Sequence, residues 1–506
     1  MANDSIPVLI GAGQITEKDP SIASSPLDLM EAAVRQAMDD AGITREQLSK
    51  LDSLVVVRSF REPMRNSPEA LADRLGVANA AEWLTPDGGY APQYLVNRFA
   101  EAIARGEHGF TLLTGAEAMA TGRRIVKAGG KPEWDVPSST DAAFLYPDRS
   151  MWTSHEREHG IWQASHVYPL FENALRTHYG HTIEEHQQAL GRLFAPYTVV
   201  AAQSPHAWYP VQRTAEEIAT ASPQNRYVGW PYTKYMNAMN QINQSAALLL
   251  TSVEYAERLG VDRSKLVYLH GCADTTEIWE LLERVNYHSS PSIRVMGEQV
   301  SSMAGRSIDG IDFLDLYSCF PSAVQIAKDE LGIAVDDPRN LTVTGGLPFH
   351  GGAGNNYVMN AIVSMMEKLR EHSGKYGLVT ANGGYLGQHA AGIYSTTPTE
   401  GRWQRVEPAI YQNQIDELPH PTHTESPDGT GTIETYTVVF GRDQTAERGL
   451  VIGRLGDGTD PDAKRFIAHT PLDRDLLETM VTSDFIGTRG TVGQRDGLNY
   501  FDPNPA

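Results

Sequence analysis

Apolar residues along this chain recur in two rhythms, one short and unbroken, the other spaced as on a helix face. Residues 6–10 read as a short apolar strand ending at Gly11-Ala12-Gly13. Ser25-Pro26 then opens a helix, with serine as cap and proline at the first helical position. Its apolar stripe is Leu29, Met30, Ala33, Val34, Ala37 and Met38, and Gly42 closes it. Residues 54–57 are apolar throughout, as in a strand buried on both faces. Gly88-Gly89-Tyr90-Ala91-Pro92 opens a second helix, carrying Leu95, Val96, Phe99, Ala100 and Ile103. Gly106, an apolar strand over 110–114 and Gly115-Ala116-Glu117-Ala118 follow.

The same order returns later. Residues 240–260 open a second α/β unit with a helix carrying Ala246, Ala247, Leu249, Leu250 and Val253, then a strand over 266–269. Gly345-Gly346 precedes an apolar helix over 357–369, with Met359, Ile362, Val363 and Met366. Gly374, a strand over 376–380 and Asn382-Gly383-Gly384 follow. Both glycine-led helices are apolar around much of their circumference, so both are expected inside the protein. The pattern divides the chain into an N-terminal α/β half (1–125), an insertion (126–235), a C-terminal α/β half (236–400), a linker (401–431) and a β domain (432–506). The insertion is rich in Trp, Tyr, His and Pro and predicts short helices and loops. The last segment has short strands separated by turns such as Gly456-Asp457-Gly458, which suggests a small barrel of the oligonucleotide-binding (OB) type.

Charge narrows the function. The 506 residues carry a formal net charge of -21, which repels phosphate backbones and anionic membranes. Neither nucleic acid nor membrane is expected as a partner. Cys272 and Cys319 are the two cysteines, too few for a disulfide framework. The N-terminus shows no basic region followed by a long apolar one, so a cytoplasmic protein is expected.

The glycine-led helices carry the chemical clue. The first unit resembles the thiolase superfamily, whose members read C-x-S-G-x-x-A, helix, strand, G-G-x-E-S. Counting back from Ile103, the family's reactive cysteine falls at Gly89, which has no side chain to hold an acyl group. The family's second cysteine, in C-x-G-G-G-x-G, falls at Ala381, followed by Asn382, Gly383, Gly384, Tyr385, Leu386 and Gly387. The motif N-E-A-F or H-D-C-F aligns with Tyr317-Ser318-Cys319-Phe320, and G-G-x-x-x-x-G-H-P resembles the stretch from Gly345 and Gly346 to His350. Near the pantetheine position, Ala238-Met239-Asn240-Gln241 matches loosely. With its extra C-terminal domain, the chain is most similar to the thiolase-like proteins called type 1. The resemblance implies a duplicated, five-layer α-β-α-β-α body. It also implies a site at Gly89, Asn240, Tyr317, Ser318, Gly346, Asn382, Gly383 and Gly384 for coenzyme A (CoA) or acyl-CoA, and a place in lipid metabolism.

Thiolase chemistry needs a thiolate, a second acid/base and donors for the developing oxyanion. With both cysteines missing, thiolase turnover is not expected. One reading is therefore an acyl-CoA-binding protein without it. A second is an acyltransferase or thioesterase using His350 and Cys319. A third is a scaffold, or nucleic-acid binding through the C-terminal barrel. No cofactor beyond CoA as ligand is expected, and no metal. His155-Glu156-Arg157-Glu158-His159 spells a zinc motif, but Gly160 ends it at once and its charges suit a solvated segment; a zinc reading would need a third ligand such as Glu172. Gly11-Ala12-Gly13 lacks the full dinucleotide fingerprint. Thiolases pair through the strand before the reactive cysteine. Here that stretch carries Glu82, Pro86 and Asp87, which favours a monomer.

Overall fold

Sixteen strands organise residues 5–460 and 462–503, the part of the chain that the computed structural model describes. In the body these are β1 (Pro7–Thr16), β2 (Ser53–Val57), β3 (Ala81–Leu84) and β4 (Phe110–Ala118), then β5 (Tyr227–Gly229) and β6 (Tyr232–Thr233) from the insertion. Next come β7 (Asn243–Ser252), β8 (Val267–Thr276), β9 (Phe313–Asp315), β10 (Tyr376–Gly383) and β11 (Gln388–Ser395). The C-terminal strands are β12 (Gly429–Phe440), β13 (Ala446–Leu455), β14 (Arg465–His469), β15 (Arg489–Arg495) and β16 (Leu498–Pro503).

Nine strands form one sheet in the order β3-β2-β4-β7-β1-β8-β11-β10-β9. Its two halves join where β1 meets β8, through the pairs Val8–Tyr268 and Leu9–Val267. The helices Ala91–Ala104 and Tyr357–Glu371 pack against each other, and each touches strands of both halves. They therefore form the middle layer. Helix Pro26–Ala41 covers β1, β4 and β7, and helix Pro291–Ala304 covers β8 and β11. Alternation along β1 supports this layering. Val8 and Ile10 join the outer core under Pro26–Ala41, while Leu9 joins the central core. The result is a mixed α/β thiolase-like body, as the resemblance implies.

Gly11 and Gly13 lie within β1, not in a loop after it. A Cβ on either would collide with the carbonyl oxygens of Ala37 and Ala33, so these glycines let the outer helix rest directly on the strand.

Residues 243–252, expected as helix, are strand β7 between β4 and β1. Ala246, Leu248 and Leu250 face the central core, and Ala247 and Leu249 the outer one. A strand buried on both faces presents an unbroken apolar run, which imitates a buried helix. The insertion also differs from its expected short helices: it holds helices Ala164–His178 and Ile183–Gln203. Pro169 and Pro196 lie inside them, so proline content misleads there. The linker likewise holds a helix, Pro408–Asp416, and the β domain holds Arg474–Thr482.

The C-terminal strands close on themselves through β12–β13, β13–β14, β14–β16, β16–β15 and β15–β12, a closed five-strand barrel. The insertion's β5–β6 hairpin adds to β12 and ties the barrel to the body. At the other end of the large sheet, edge strand β3 is partly covered. Leu84 donates its N–H to the Ala143 carbonyl at 2.9 Å and accepts from Leu145 N–H at 2.9 Å.

Candidate functional site

The loops after β9 and β10 meet the start of helix Ala91–Ala104 around a cavity of about 1030 Å³. Of the residues the motifs single out, Gly89, Asn240, Tyr317, Cys319, Asn382, Gly383 and Gly384 all line it. Helix Ala164–His178 from the insertion supplies Tyr168 to the same wall.

At the centre, no room remains for a nucleophile. A Cβ on Gly89 would fall well inside contact distance of the Tyr317 hydroxyl and 2.6 Å from the Asn382 carbonyl oxygen. Tyr317 lies two residues past the end of β9, and its backbone N–H donates to Thr380 Oγ1 of β10 at 3.0 Å, which ties the start of the loop to that strand. Burial holds its hydroxyl well above the usual phenol range, so it stays protonated. The phenol thus fills the space where the family's sulfur would project.

Cys319 lies in the wall, 4.0 Å from Asn382 Nδ2. Burial pushes its thiol up to about 12, so at neutral pH it is a thiol and a poor nucleophile. Tyr168, stacked on Phe320 at 4.4 Å, accepts a hydrogen bond from Asn382 Nδ2 at 2.9 Å. Cys272 is buried against Met303, away from the cavity wall, and burial raises its thiol to about 12 as well.

Ser318, Gly346 and His350 are not in the cavity wall. Ser318 Oγ accepts from Leu347 N–H at 3.2 Å, and a Cβ on Gly346 would meet that same Oγ at 2.6 Å, so the two pack together behind the wall. His350 is fully buried with no hydrogen-bond partner on either ring nitrogen. Burial pulls its imidazole down to about 3, which keeps it neutral. His350 lies behind the wall, in the core, while Cys319 stands in the wall itself.

The turn after β10 is strained where it faces the cavity. Tyr385 (φ 54°) and Leu386 (φ 59°) are both left-handed without being glycine. Buried Arg284 holds them, donating to the Leu386 carbonyl at 2.9 Å and the Tyr385 carbonyl at 3.4 Å. This aims the Tyr385 ring at Tyr168 and Trp152, with centroids 6.5 and 6.3 Å away. Neither Arg284 nor Tyr168 carries a motif that sequence reading could use; the aromatic richness of the insertion is the one hint.

The zinc-motif residues have structural work. Glu156 caps the short helix Ser154–Glu158 and accepts from Leu281 N–H at 2.9 Å. His159 Nε2 accepts from Asn499 N–H in the barrel at 2.9 Å. Both are buried, which corrects the expectation of a solvated segment. Glu172, the suggested third ligand, instead binds His186 Nε2 and the Tyr232 hydroxyl, both at 2.6 Å.

A duplicated α/β body with two buried central helices, glycine-led loops converging on one cavity and an appended barrel defines a thiolase-fold protein. Residues 411–497 match the family described as the thiolase-like protein type 1 additional C-terminal domain. A monomeric SCP2-thiolase like protein type 1 from Mycobacterium smegmatis is 36% identical, with 99% of each chain covered and a TM-score of 0.86. The chain belongs to this family, the type 1 SCP2-thiolase-like proteins. More distant folds are the Ltp2-ChsH2(DUF35) aldolase (19% identity, 78% of this chain and 98% of that one, TM-score 0.59) and an acetyl-CoA acetyltransferase from Syntrophomonas wolfei (16%, 78% and 100%, TM-score 0.54). No curated protein sequence matches. No helix among the described residues is long and apolar enough to cross a membrane.

Proposed function

We propose that this chain binds an acyl thioester of CoA without forming an acyl-enzyme, as a monomer in cytoplasmic lipid metabolism. The observation that carries the reading is a large cavity kept open at a place where Tyr317 has replaced the room for a nucleophile. Binding outlasts the loss of catalysis because a CoA ester is held largely through contacts remote from the reacting carbon. The wall includes Trp152, Trp162, Phe320 and Leu347 for an acyl chain. It also includes Lys234 and Arg149, the latter 4.1 Å over the Trp279 ring, for anionic groups. Asp87 and Asp148 lie on the same wall, each 3.8 Å from Arg58, whose one positive charge offsets part of theirs. The covered edge of β3 and the monomeric state named for the Mycobacterium smegmatis relative favour a monomer.

Calorimetry with CoA, acetyl-CoA and decanoyl-CoA tests this. Each buried methylene contributes about 0.8 kcal/mol, so decanoyl-CoA is expected to bind at least about tenfold more tightly than acetyl-CoA. Absence of binding by all three contradicts the reading.

A further inference from the structure

We propose that Glu280, Glu283, His420 and His423 form a binding site for one divalent transition ion of the zinc class, which fastens the segment leading into the barrel to the thiolase-like body. None of the four lines the cavity, so the site is independent of the acyl-thioester reading. No metal is expected from the motifs, and these residues belong to none: the fold joins ligands that lie far apart in the chain.

Glu280 precedes and Glu283 ends the single 3-10 turn Leu281–Glu283 of the body, while the two histidines lie shortly before β12. One ligand atom each from Glu280, Glu283 and His423 lies within 4.8 Å of the other two. His423 Nδ1 stands 3.4 Å from Glu283 Oε1, yet the nitrogen makes no hydrogen bond. Two ligand atoms on one tetrahedral zinc ion, with bonds of about 2.0–2.2 Å, stand about 3.4 Å apart with no hydrogen bond between them. The observed pair has that spacing. His420 Nδ1 is 3.9 Å from the other Glu283 oxygen, Oε2, in the place of a fourth ligand. Two imidazoles with two carboxylates suit zinc; magnesium takes oxygen ligands and keeps its waters.

Other contacts hold the ligands in position. Thr424 N–H donates to the Arg465 carbonyl and Arg465 N–H to the Thr422 carbonyl, both at 2.9 Å, which pins His423 beside β14. Arg465 Nη1 donates to the Leu282 carbonyl at 3.2 Å, tying β14 to the turn that carries Glu283. The carboxylates lack a countercharge: among the described residues, no lysine or arginine comes within 4.0 Å of either. Two neighbouring carboxylates partly withdrawn from water repel each other, and an ion held by both relieves that. Because its ligands meet only in the folded chain, the ion stabilises the native state by mass action.

The test is zinc titration of the full-length protein after EDTA treatment and dialysis, followed by calorimetry and thermal melting. About one zinc ion per chain and a raised melting temperature are expected, with neither effect from magnesium at the same concentration. Glu283→Gln and His423→Gln, each checked by melting in EDTA, are expected to weaken zinc binding about tenfold or more. His178→Gln, which alters an imidazole stacked on His288, is expected to leave it unchanged. In the wild type, where no variant has to fold, zinc is expected to protect His420 and His423 from diethylpyrocarbonate, read by peptide mass spectrometry. Absence of zinc binding, an equal response to magnesium, unchanged affinity in both variants, or protection confined to other histidines each overturns the site.

Discussion

The Tyr317 hydroxyl occupies the space that a side chain on Gly89 would need. The two positions are linked by packing, so restoring the family's cysteine alone cannot restore its geometry. Gly89→Cys is expected to destabilise the protein by about 1–3 kcal/mol, the usual range for overpacking a filled core. Gly89→Cys with Tyr317→Ala is expected to recover part of that loss. It recovers only part because the Asn382 carbonyl oxygen, 2.6 Å from the new Cβ, stays in place. Urea unfolding of the single and double variants measures the coupling; additive effects contradict it.

Cys319 is expected to react slowly. With its thiol raised to about 12 by burial, the thiolate is a very small fraction at pH 7.4. Native protein is expected to take up a thiol reagent at least about a thousandfold more slowly than urea-unfolded protein. Cys319→Ala is expected to keep acyl-CoA affinity within about twofold. Fast native labelling would revive the reading of a relocated nucleophile.

The body's repeat was legible because its signals are local. A glycine loop, an apolar helix and a strand follow one another twice, and each of those helices is buried as its composition requires. Strand β7 was not legible, since Ala246 to Leu250 are apolar on both faces and carry no period to separate strand from helix. The site was legible in part. Gly89, Tyr317 and Asn382 stand at motif positions and meet in space. His350 also stands at a motif position yet points into the core, because a local motif says nothing about how a shortened loop aims its side chain. Tyr168 comes from the insertion, a region with no repeat, so only the tertiary fold brings it to the cavity.

His350 sets a pH signature. Its folded imidazole is pulled down to about 3 by burial, below the unfolded value near 6.5. The unfolded state therefore binds the proton first. Stability from this group is complete above about pH 6.5 and declines as pH falls toward about 3. His350→Leu is expected to flatten the stability profile across that window relative to wild type. Unfolding free energies measured between pH 7 and pH 4 check this; parallel profiles contradict it.

Glu172 joins three partners in the core: His186, the Tyr232 hydroxyl and Gln325 Nε2 at 2.7 Å. Glu172→Ala takes the partner from His186 Nε2 and Gln325 Nε2, while the Tyr232 hydroxyl keeps Ser322 Oγ at 2.7 Å, and is expected to cost about 3–5 kcal/mol. The loss falls on stability, because Glu172 is not in the cavity wall. Denaturant unfolding and decanoyl-CoA calorimetry, run below the variant's melting temperature, separate the two effects.

The most direct measurement of the central claim is intact-mass spectrometry after incubation with acetyl-CoA and acetoacetyl-CoA, at concentrations where calorimetry shows the site filled. A scaffold with phenol in place of sulfur predicts bound ligand and an unchanged protein mass. A covalent acyl adduct, lost in Cys319→Ala, would contradict it.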